Sequence, residues 1–369
     1  MLALSPLPTH RKIRAILVDI VSYKTSFAER NDMREEMLHL SQSVQNIEVI
    51  HLFTAKEHVT QKGAFGKGKI ADLALIIHDL EPDLILLSSL AKPQFIVELQ
   101  QMFHTHVWDK IDLILYIFQK HAKTNEAKLQ IQLAQLKHQI PRIYAYQSTT
   151  LFERSGSGTL ARGSGESGIE SEKRHIRKMI KQIEDKLSKY DRIRENQRKH
   201  RQQKSLPTVA IVGYTNAGKS TFLKACTKKD VYVADQLFAT LDTRIGRLWT
   251  QRLQQHILFT DTIGFIRDIP PFLIESFQST LRETLVANLI LHVFDGSDPL
   301  WKEKIAVTKK VLQDIGADDI PCYLVANKSD RGCPIGIDCF HVSSFHRKTF
   351  EPLLDAIENF FMHTPKKYL

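Results

Sequence analysis

Residues 213–220 read GYTNAGKS and match the phosphate-binding pattern GxxxxGK[ST], which constrains the surrounding fold more than any other part of this sequence. This loop functions between a strand and a helix. Here the apolar run Thr208–Val212 precedes it, and a predicted helix begins near Ser220. The glycines would let backbone N–H groups surround a β-phosphate, Lys219 would reach the β- and γ-phosphates, and the Ser220 hydroxyl would bind Mg²⁺. The predicted phosphate-binding residues are Gly213, Tyr214, Thr215, Asn216, Ala217, Gly218, Lys219, Ser220 and Thr221.

A second motif, DTIG at residues 261–264, follows the apolar strand Ile257–Phe259. A carboxylate in this position holds the metal in P-loop enzymes, so Asp261 is predicted to contribute to the Mg²⁺ site through a water molecule. The backbone N–H of Gly264 can then sense a γ-phosphate. The predicted nucleotide contacts of this motif are Asp261, Thr262, Ile263 and Gly264.

A third motif, NKSD at residues 327–330, follows the apolar strand Cys322–Ala326. Its Asp330 can accept hydrogen bonds from the ring N–H and the exocyclic amine of guanine, whereas adenine lacks that amine and would leave the carboxylate unpaired. Three motifs in this order, each at a strand end, predict a guanine nucleotide site. Asn327 would brace the phosphate loop, Lys328 would lie against the base, and Ser343 and Ser344 would support the base through backbone N–H groups. The predicted base-side residues are Asn327, Lys328, Ser329, Asp330, Ser343 and Ser344.

The segment between the first two motifs is expected to supply a threonine that closes on Mg²⁺ in the triphosphate state. The stretch FATLDT at residues 238–243 offers Thr240 and Thr243, of which we prefer Thr240, with Phe238 and Ala239 beside it as nucleotide contacts. The predicted metal ligands are Ser220, Thr240 and Asp261, and the predicted catalytic residues are Lys219, Thr240 and Gly264.

Phe265 follows DTIG at the position where many GTPases place a glutamine that orients the attacking water. A phenylalanine has no group for that task, so we predict a low intrinsic rate of GTP hydrolysis. A residue elsewhere in the chain, a K⁺-type ion or a partner would then have to arrange the water, and the partner is expected to stimulate kcat strongly.

Strand and helix signals alternate at both ends of this 369-residue chain, so the predicted fold class is α/β. A small α/β domain is predicted at residues 1–106 and a basic helical hairpin at residues 107–204, with a Gly-rich loop at 155–168. Residues 205–369 are predicted to form a P-loop GTPase domain with a doubly wound, mostly parallel sheet.

The predicted hairpin carries much of the excess positive charge of the chain, which has 51 Lys+Arg against 41 Asp+Glu. Residues 111–140 contain neither glycine nor proline and predict one helix. A second helix is predicted after the Gly-rich segment. Residues 171–204 contain 13 Lys+Arg and 5 Asp+Glu, an imbalance that favours contact with nucleic acid over a merely solvated helix face.

Other features exclude several classes of protein. The four cysteines form no CxxC pair and lack zinc-like spacing, so they are interpreted as thiols in a reducing compartment. No apolar run reaches the length of a membrane span, and the proline-broken N-terminus is atypical of a targeting helix. These features predict a cytoplasmic protein, with an organellar location as the alternative.

The chain resembles the HflX family of ribosome-associated GTPases over nearly its whole length. The resemblance rests on GYTNAGKSTF, LFATLD, FTDTIGFIRDIP, GKGK and LILYIFQKHAKTNEAKLQIQLAQLKHQIPRI. It implies an N-terminal α/β domain, a long helical hairpin and a G domain. It also implies binding to the rRNA and protein of the large ribosomal subunit and splitting of stalled or idle ribosomes. We expect a monomer that hydrolyses GTP with Mg²⁺.

The resemblance also implies that the loop at residues 156–168 points toward the peptidyl-transferase region. This sequence has GSGESGIE where the family usually has GPGETQLE, and the C-terminal domain of many members is expected to be absent. The GKGK stretch is either an rRNA phosphate contact or a surface turn. The predicted RNA contacts are Lys67, Lys69, Arg154, Arg162, Arg174, Arg177, Lys178 and Lys181.

Two other functions remain open at the level of sequence. The chain could be a GTP-gated assembly or anti-association factor that holds the large subunit, with hydrolysis serving only release. An ATP-driven RNA remodeller is disfavoured by Asp330, because the predicted base site selects guanine.

Overall fold

Alternating strands and helices build two separate β-sheets. The computed structural model describes residues 7–21, 25–56, 65–155, 165–203, 206–227, 244–262, 264–267, 270–277, 281 and 284–363. The chain divides into two units, one comprising Met1–Lys120 with Ile131–Glu184 and the other His121–Gln130 with Asp185–Leu369. No helix in the ranges given above is long and apolar enough to span a membrane.

The N-terminal elements are β1 (Ile13–Val21), α1 (Phe27–Ser43), β2 (Ile47–Lys56), α2 (Lys67–Leu80), β3 (Leu84–Leu87), α3 (Pro93–Phe103) and β4 (His106–Trp108). The strands form a parallel sheet in the order β2-β1-β3-β4. Strands β1 and β3 are almost entirely apolar and buried, as expected for parallel strands covered on both faces. Helix α1 begins with a capping box in which Ser26 and Glu29 bond each other's backbone N–H groups.

The long helices are α4 (Lys110–His121), α5 (Asn125–Ser155) and α6 (Gly165–Gln203). The single helix predicted over residues 111–140 is therefore two helices. The Thr124 hydroxyl accepts a hydrogen bond from the Ala127 N–H at 3.1 Å and caps a new helix, α5, which then continues through Pro141. Helix α6 begins at Gly165, inside the segment 155–168 that the sequence predicts as loop.

The elements of the second sheet region are β5 (Thr208–Val212), α7 (Lys219–Thr227), β6 (Arg244–Thr250), β7 (Gln255–Asp261), α8 (Pro271–Ser276), β8 (Leu289–Asp295), α9 (Trp301–Asp314), β9 (Cys322–Asn327), β10 (Phe340–His341) and α10 (Glu351–His363). The six strands lie in the order β10-β9-β8-β5-β7-β6, and every pairing is parallel except that of β6 with β7. Strand β5 lies between β7 and β8, where sheets of this kind open a crevice at the carboxyl ends of their strands. The predicted α/β class with a mostly parallel GTPase sheet is confirmed, and the exact domain boundaries stay a prediction.

Candidate nucleotide site

The phosphate loop leaves β5 at Gly213 and enters α7 at Lys219. Gly213 has φ +152°, and a Cβ there would lie 2.0 Å from the carbonyl oxygen of Val293. Gly218 has φ +84°, and a Cβ there would lie 2.4 Å from Asn327 Nδ2. Both positions therefore require glycine, because a side chain would collide with the neighbouring strand ends.

The Lys219 ammonium is buried within its own loop, where it donates a hydrogen bond to the Tyr214 carbonyl oxygen at 2.8 Å. Burial lowers the pKa of Lys219 to about 8, while the nearby Asp261 carboxylate opposes that shift. A Cβ on Gly264 would lie 2.9 Å from Lys219 Nζ and 2.9 Å from Thr215 Cγ2. The structure thus brings together Lys219 and Gly264, two of the three residues that the sequence predicts to be catalytic.

Two predicted metal ligands meet at the end of β7. The Ser220 hydroxyl donates a hydrogen bond to Asp261 Oδ2 at 2.8 Å, and Asp261 is fully buried. A hydroxyl and a carboxylate oxygen are the hard donors that Mg²⁺ prefers, so this pair fits a magnesium site. Thr240 lies outside the described residues, as do Phe238, Ala239 and Ile263.

Phe265 is turned into the hydrophobic core, where only 2% of its surface is exposed and it packs with Val212 and Ile290. Its N–H donates to the Gly213 carbonyl oxygen at 3.0 Å, and its own carbonyl accepts the Thr215 N–H at 2.8 Å. The segment after DTIG is therefore paired with the phosphate loop, and the Phe265 ring serves packing. The low intrinsic rate inferred from Phe265 stays a prediction.

The other residues predicted in the phosphate loop and DTIG have structural contacts. Tyr214 is buried, and its hydroxyl accepts the Arg267 N–H at 3.0 Å. Asn216 has a left-handed backbone with φ +62°. The Thr262 hydroxyl donates to the Ile211 carbonyl oxygen at 2.8 Å, which ties this side chain to β5. Ala217 is buried in the loop, and Thr221 lies in the first turns of α7.

The NKSD motif contacts the phosphate loop directly. Asn327 Nδ2 donates to the Ala217 carbonyl oxygen at 2.9 Å, and Asn327 Oδ1 accepts the Ser344 hydroxyl at 3.1 Å. The Ser329 N–H bonds the carbonyl oxygen of Val342 at 3.1 Å. These bonds hold the end of β9 between the phosphate loop and the segment after β10.

Asp330 is held by the side chain of Ser343, a residue predicted to support the base through its backbone N–H. The Ser343 hydroxyl donates to Asp330 Oδ1 at 2.6 Å, and this hydrogen bond lowers the pKa of the Asp330 carboxyl. The Ser343 N–H, expected to face the base, instead donates to Thr349 Oγ1 at 2.9 Å. Ser343 therefore orients an ionised Asp330 with its side chain while its backbone closes the local turn.

Sequence reasoning missed one partner of this site, Asp295 at the end of β8. Its carboxylate forms an ion pair with Lys328, with 2.7 Å between Asp295 Oδ2 and Lys328 Nζ. The signal available in the sequence was an aspartate that ends an apolar strand, at the same edge of the sheet as the three motifs.

The predicted RNA contacts fall into three groups. Arg174, Lys178 and Lys181 are exposed on α6, whereas the exposed Arg177 also donates to the Tyr144 hydroxyl at 2.8 Å. Lys67 and Lys69 lie at the start of α2, where Lys69 pairs with a neighbouring aspartate at 2.8 Å. The Arg154 side chain and Arg162 lie outside the described residues.

A separate buried cluster joins α5 to the start of α4. Asp109, Asp112 and His138 lie close enough to suggest a cation site. However, Arg142 Nη2 lies 2.6 Å from an Asp112 oxygen and 3.2 Å from an Asp109 oxygen. The guanidinium therefore neutralises these carboxylates, which makes the cluster a structural ion network rather than a metal centre.

Three family models match the chain in sequence. Residues 31–119 match "GTP-binding GTPase N-terminal", residues 121–201 match "GTP-binding GTPase Middle Region", and residues 208–328 match "50S ribosome-binding GTPase". A crystal structure of a protein called SsGBP in complex with GDP has a similar fold. It is 22% identical, with a TM-score of 0.51 over 95% of this chain and 98% of that one.

Curated relatives decide the family. GTPase HflX of Caldanaerobacter subterraneus subsp. tengcongensis is 40% identical over 94% of this chain and 80% of its own length. GTPase HflX of Escherichia coli is 38% identical over 86% of this chain and 73% of its own length. The resemblance noted in the sequence is confirmed, and with it GTP hydrolysis as the activity. The chain belongs to the HflX family of GTPases.

Proposed function

We propose that this GTPase binds the large ribosomal subunit and uses GTP to split, recycle or rescue ribosomes. The observation that carries the proposal is a row of exposed cations on α6, in the same chain as a complete set of guanine nucleotide motifs. The description "50S ribosome-binding GTPase" of the model matched by residues 208–328 supports it. We further propose that the protein works as a monomer in the cytoplasm.

In this proposal the phosphate loop exchanges internal hydrogen bonds for bonds to GTP. Lys219 leaves the Tyr214 carbonyl oxygen, 2.8 Å away, and pairs with the β- and γ-phosphates, whose charge restores the pKa that burial has lowered. Ser220, Thr240 and, through a water molecule, Asp261 would hold Mg²⁺, which would supply positive charge to the phosphates. Gly264 presents its N–H to the γ-phosphate.

Guanine is selected at the ends of β9 and β10. Asp330, oriented by the Ser343 hydroxyl, accepts the ring N–H and the exocyclic amine of the base. Lys328 lies against the face of the base, and Asn327 and Ser344 connect this pocket to the phosphate loop. Because Asp330 is already ionised and held, the pocket needs little rearrangement to bind guanine.

Hydrolysis requires help that Phe265 does not give. Its ring packs in the hydrophobic core, and its backbone N–H and carbonyl oxygen form hydrogen bonds with the phosphate loop. The attacking water must therefore be arranged by another residue, by a monovalent cation or by the ribosome. We expect large ribosomal subunits to raise kcat strongly over the intrinsic rate.

The RNA-binding surface is assigned to the hairpin. Arg174, Lys178 and Lys181 would neutralise rRNA phosphates, with Arg177 completing the row while it also braces Tyr144. Further proposed contacts are Lys67, Lys69, Arg154 and Arg162.

The central test compares GTP turnover by the purified protein with and without large subunits. It is run beside gradient sedimentation of intact ribosomes incubated with a non-hydrolysable GTP analogue. Stimulated turnover together with dissociated ribosomes supports the splitting function. Stable binding without dissociation favours a GTP-gated assembly or anti-association factor, and no response to ribosomes contradicts both.

A charge-reversed variant tests the surface itself. Changing Arg174, Lys178 and Lys181 to glutamate should weaken binding to the large subunit and flatten its dependence on salt, with GTP affinity unchanged. Arg177 is left intact because its bond to Tyr144 holds α6 against α5. The matched control reverses three scattered exposed lysines with the same change in net charge, Lys92, Lys310 and Lys348. Equal loss of ribosome binding in both variants would refute the assignment to α6.

A further inference from the structure

The end of β8 lies beside the end of β9, and the ion pair between these strands involves the NKSD lysine. Asp295 is the register partner of Asn327, so the residue after Asn327 emerges next to the Asp295 carboxylate. Lys328 Nζ lies 2.7 Å from Asp295 Oδ2. The two side chains are 19% and 21% exposed, so this pair is more sheltered than an ordinary surface ion pair.

The Asp295 carboxylate is oriented by its own turn, independently of Lys328. Its Oδ1 accepts hydrogen bonds from the Ser297 N–H at 3.0 Å and the Ser297 hydroxyl at 2.6 Å. The Gly296 N–H in the same turn donates to the Asn327 carbonyl oxygen at 2.9 Å. One oxygen of the carboxylate is therefore anchored, and the other is presented to the lysine.

The Lys328 stem follows a defined path across the phosphate loop. Its backbone is left-handed, with φ +59°. Its Cε lies 4.0 Å from the position that a Cβ on Gly218 would occupy. A lysine stem has many rotamers in solution, so a fixed carboxylate at its tip restricts it to this one path.

We propose that Asp295 is a positioning residue of the guanine site, holding the Lys328 ammonium so that the aliphatic stem stays flat against the base. This inference rests on the proposed assignment of Lys328 to the base. Asp295 acts through Lys328 and not on the substrate itself. It therefore contributes to nucleotide affinity rather than to the chemical step.

The test uses the full-length protein and the nearly isosteric change Asp295→Asn, which removes the charge but keeps an oxygen for Ser297. Affinities are measured by calorimetry for GDP and for IDP. The base of IDP lacks the exocyclic amine that would donate a hydrogen bond to Asp330. We expect both affinities to fall by the same factor, about threefold to tenfold, the range between an exposed ion pair and a charged hydrogen bond. KM for GTP should rise by that factor while kcat at saturating GTP changes less than about twofold.

A double-mutant cycle separates positioning from general damage. Lys328→Met keeps an aliphatic stem and removes the ammonium, so in that background Asp295→Asn should weaken GDP binding less than about twofold. Asp295→Glu retains a carboxylate and should recover part of the lost affinity. The control Glu358→Gln breaks another ion pair of the same sheet region, between the largely buried Glu358 and the exposed Arg252, and should leave GDP affinity unchanged. Circular dichroism and thermal unfolding confirm that each variant is folded.

Several results would overturn the inference: unchanged GDP affinity in Asp295→Asn, equal losses from this change in both backgrounds, or no recovery by Asp295→Glu. A loss in Glu358→Gln as large as that in Asp295→Asn would also overturn it. Failure of the proposed guanine site looks different. In that case Lys328→Met and Asp330→Asn would both leave GDP affinity unchanged.

Discussion

His292 lies in the middle of β8, fully buried, and we predict that it makes the nucleotide-binding region sensitive to acid. Neither ring nitrogen has a hydrogen-bond partner within the described ranges. Its strand neighbours Ile290 and Phe294 pack under α9, so alternation along the strand places His292 on the same face. Burial, together with the positive charges of Lys309 and Lys219, lowers the pKa of His292 to about 3.

The direction of the effect follows from proton linkage. The folded-state pKa lies below the unfolded value of 6.5, so the unfolded chain takes up the proton first. The stabilisation is therefore complete above about pH 6.5 and is lost as the pH falls toward 3. Each pH unit below 6.5 removes about 1.4 kcal/mol, so lowering the pH from 7 to 5 should remove about 2 kcal/mol through this residue.

The perturbation is His292→Leu, an apolar side chain of similar size. At pH 7 we expect the variant to be at least as stable as the wild type, because two unsatisfied buried nitrogens are removed. Differential scanning calorimetry of the full-length protein at pH 7 and pH 5 is the assay, and the relevant transition is the one that GDP shifts. Between these pH values Tm should fall about 4–8 °C further in the wild type than in His292→Leu.

The exposed His256 provides the control, since His256→Asn should follow the wild type at both pH values. Equal losses of stability in the wild type and His292→Leu would refute the reasoning. If His292→Leu is too unstable to measure at pH 7, His292→Met replaces it, and the same comparison of pH 7 with pH 5 applies.

Three further predictions concern named side chains. Lys219→Ala should lower GTP affinity about 100-fold, measured by calorimetry, because the β- and γ-phosphates lose their charged partner; retained affinity would contradict the assignment. Asp330→Asn should shift the nucleotide preference from GTP toward XTP, measured by competition, because the asparagine amide can donate a hydrogen bond where xanthine has a carbonyl oxygen and guanine has an amine. An unchanged preference would place base recognition elsewhere. Asp109→Asn should destabilise the N-terminal unit by about 3 kcal/mol at pH 7, and Asp112→Asn by clearly less, in urea titrations. His138 and Arg142 overcome the effect of burial and lower the pKa of Asp109 to about 2. Burial and Asp109 raise the pKa of Asp112 to about 6, so its contribution to stability is lost as the pH rises through 6.

The phosphate loop and the strands around it could be predicted because their signals are local. Each motif follows an apolar run that becomes a strand, and parallel strands place their carboxyl ends at one edge of the sheet. Gly213 and Gly218 have positive φ and tight neighbours, which is why the loop pattern requires glycine there. Local chemistry and fold agree at this site.

The helix boundaries were harder to predict because a single side-chain cap can divide a stretch that contains no helix-breaking residue. Residues 111–140 lack glycine and proline and so fit one helix, yet the Thr124 cap starts a second one. The glycine-rich composition of residues 155–168 predicts a loop, but helix α6 already begins at Gly165. Intrinsic propensity is a weak guide where neighbouring turns can extend a helix.

Partners that are distant in sequence could not be predicted from any one motif. Asp295 meets Lys328, and Thr349 takes the N–H of Ser343, only because strand order and a local turn bring them together. Arg142 is another such distant partner. Asp109, Asp112 and His138 alone resemble a metal site, and only the position of the Arg142 guanidinium shows that the cluster is an ion network. Composition identifies such groups but does not identify which of them pair.

The two halves of the site differ in what binding must change. On the base side, Asp330 is already oriented and ionised, so guanine adds hydrogen bonds without breaking any within the protein. On the phosphate side, Lys219 bonds the Tyr214 carbonyl oxygen and Ser220 bonds Asp261, and phosphates and Mg²⁺ must displace both bonds. Changes to the base side should therefore alter GDP and GTP affinity by equal factors. Changes to the phosphate side should alter the ratio of the two affinities, because only GTP has the γ-phosphate, whose contacts help to offset the loss of these internal hydrogen bonds.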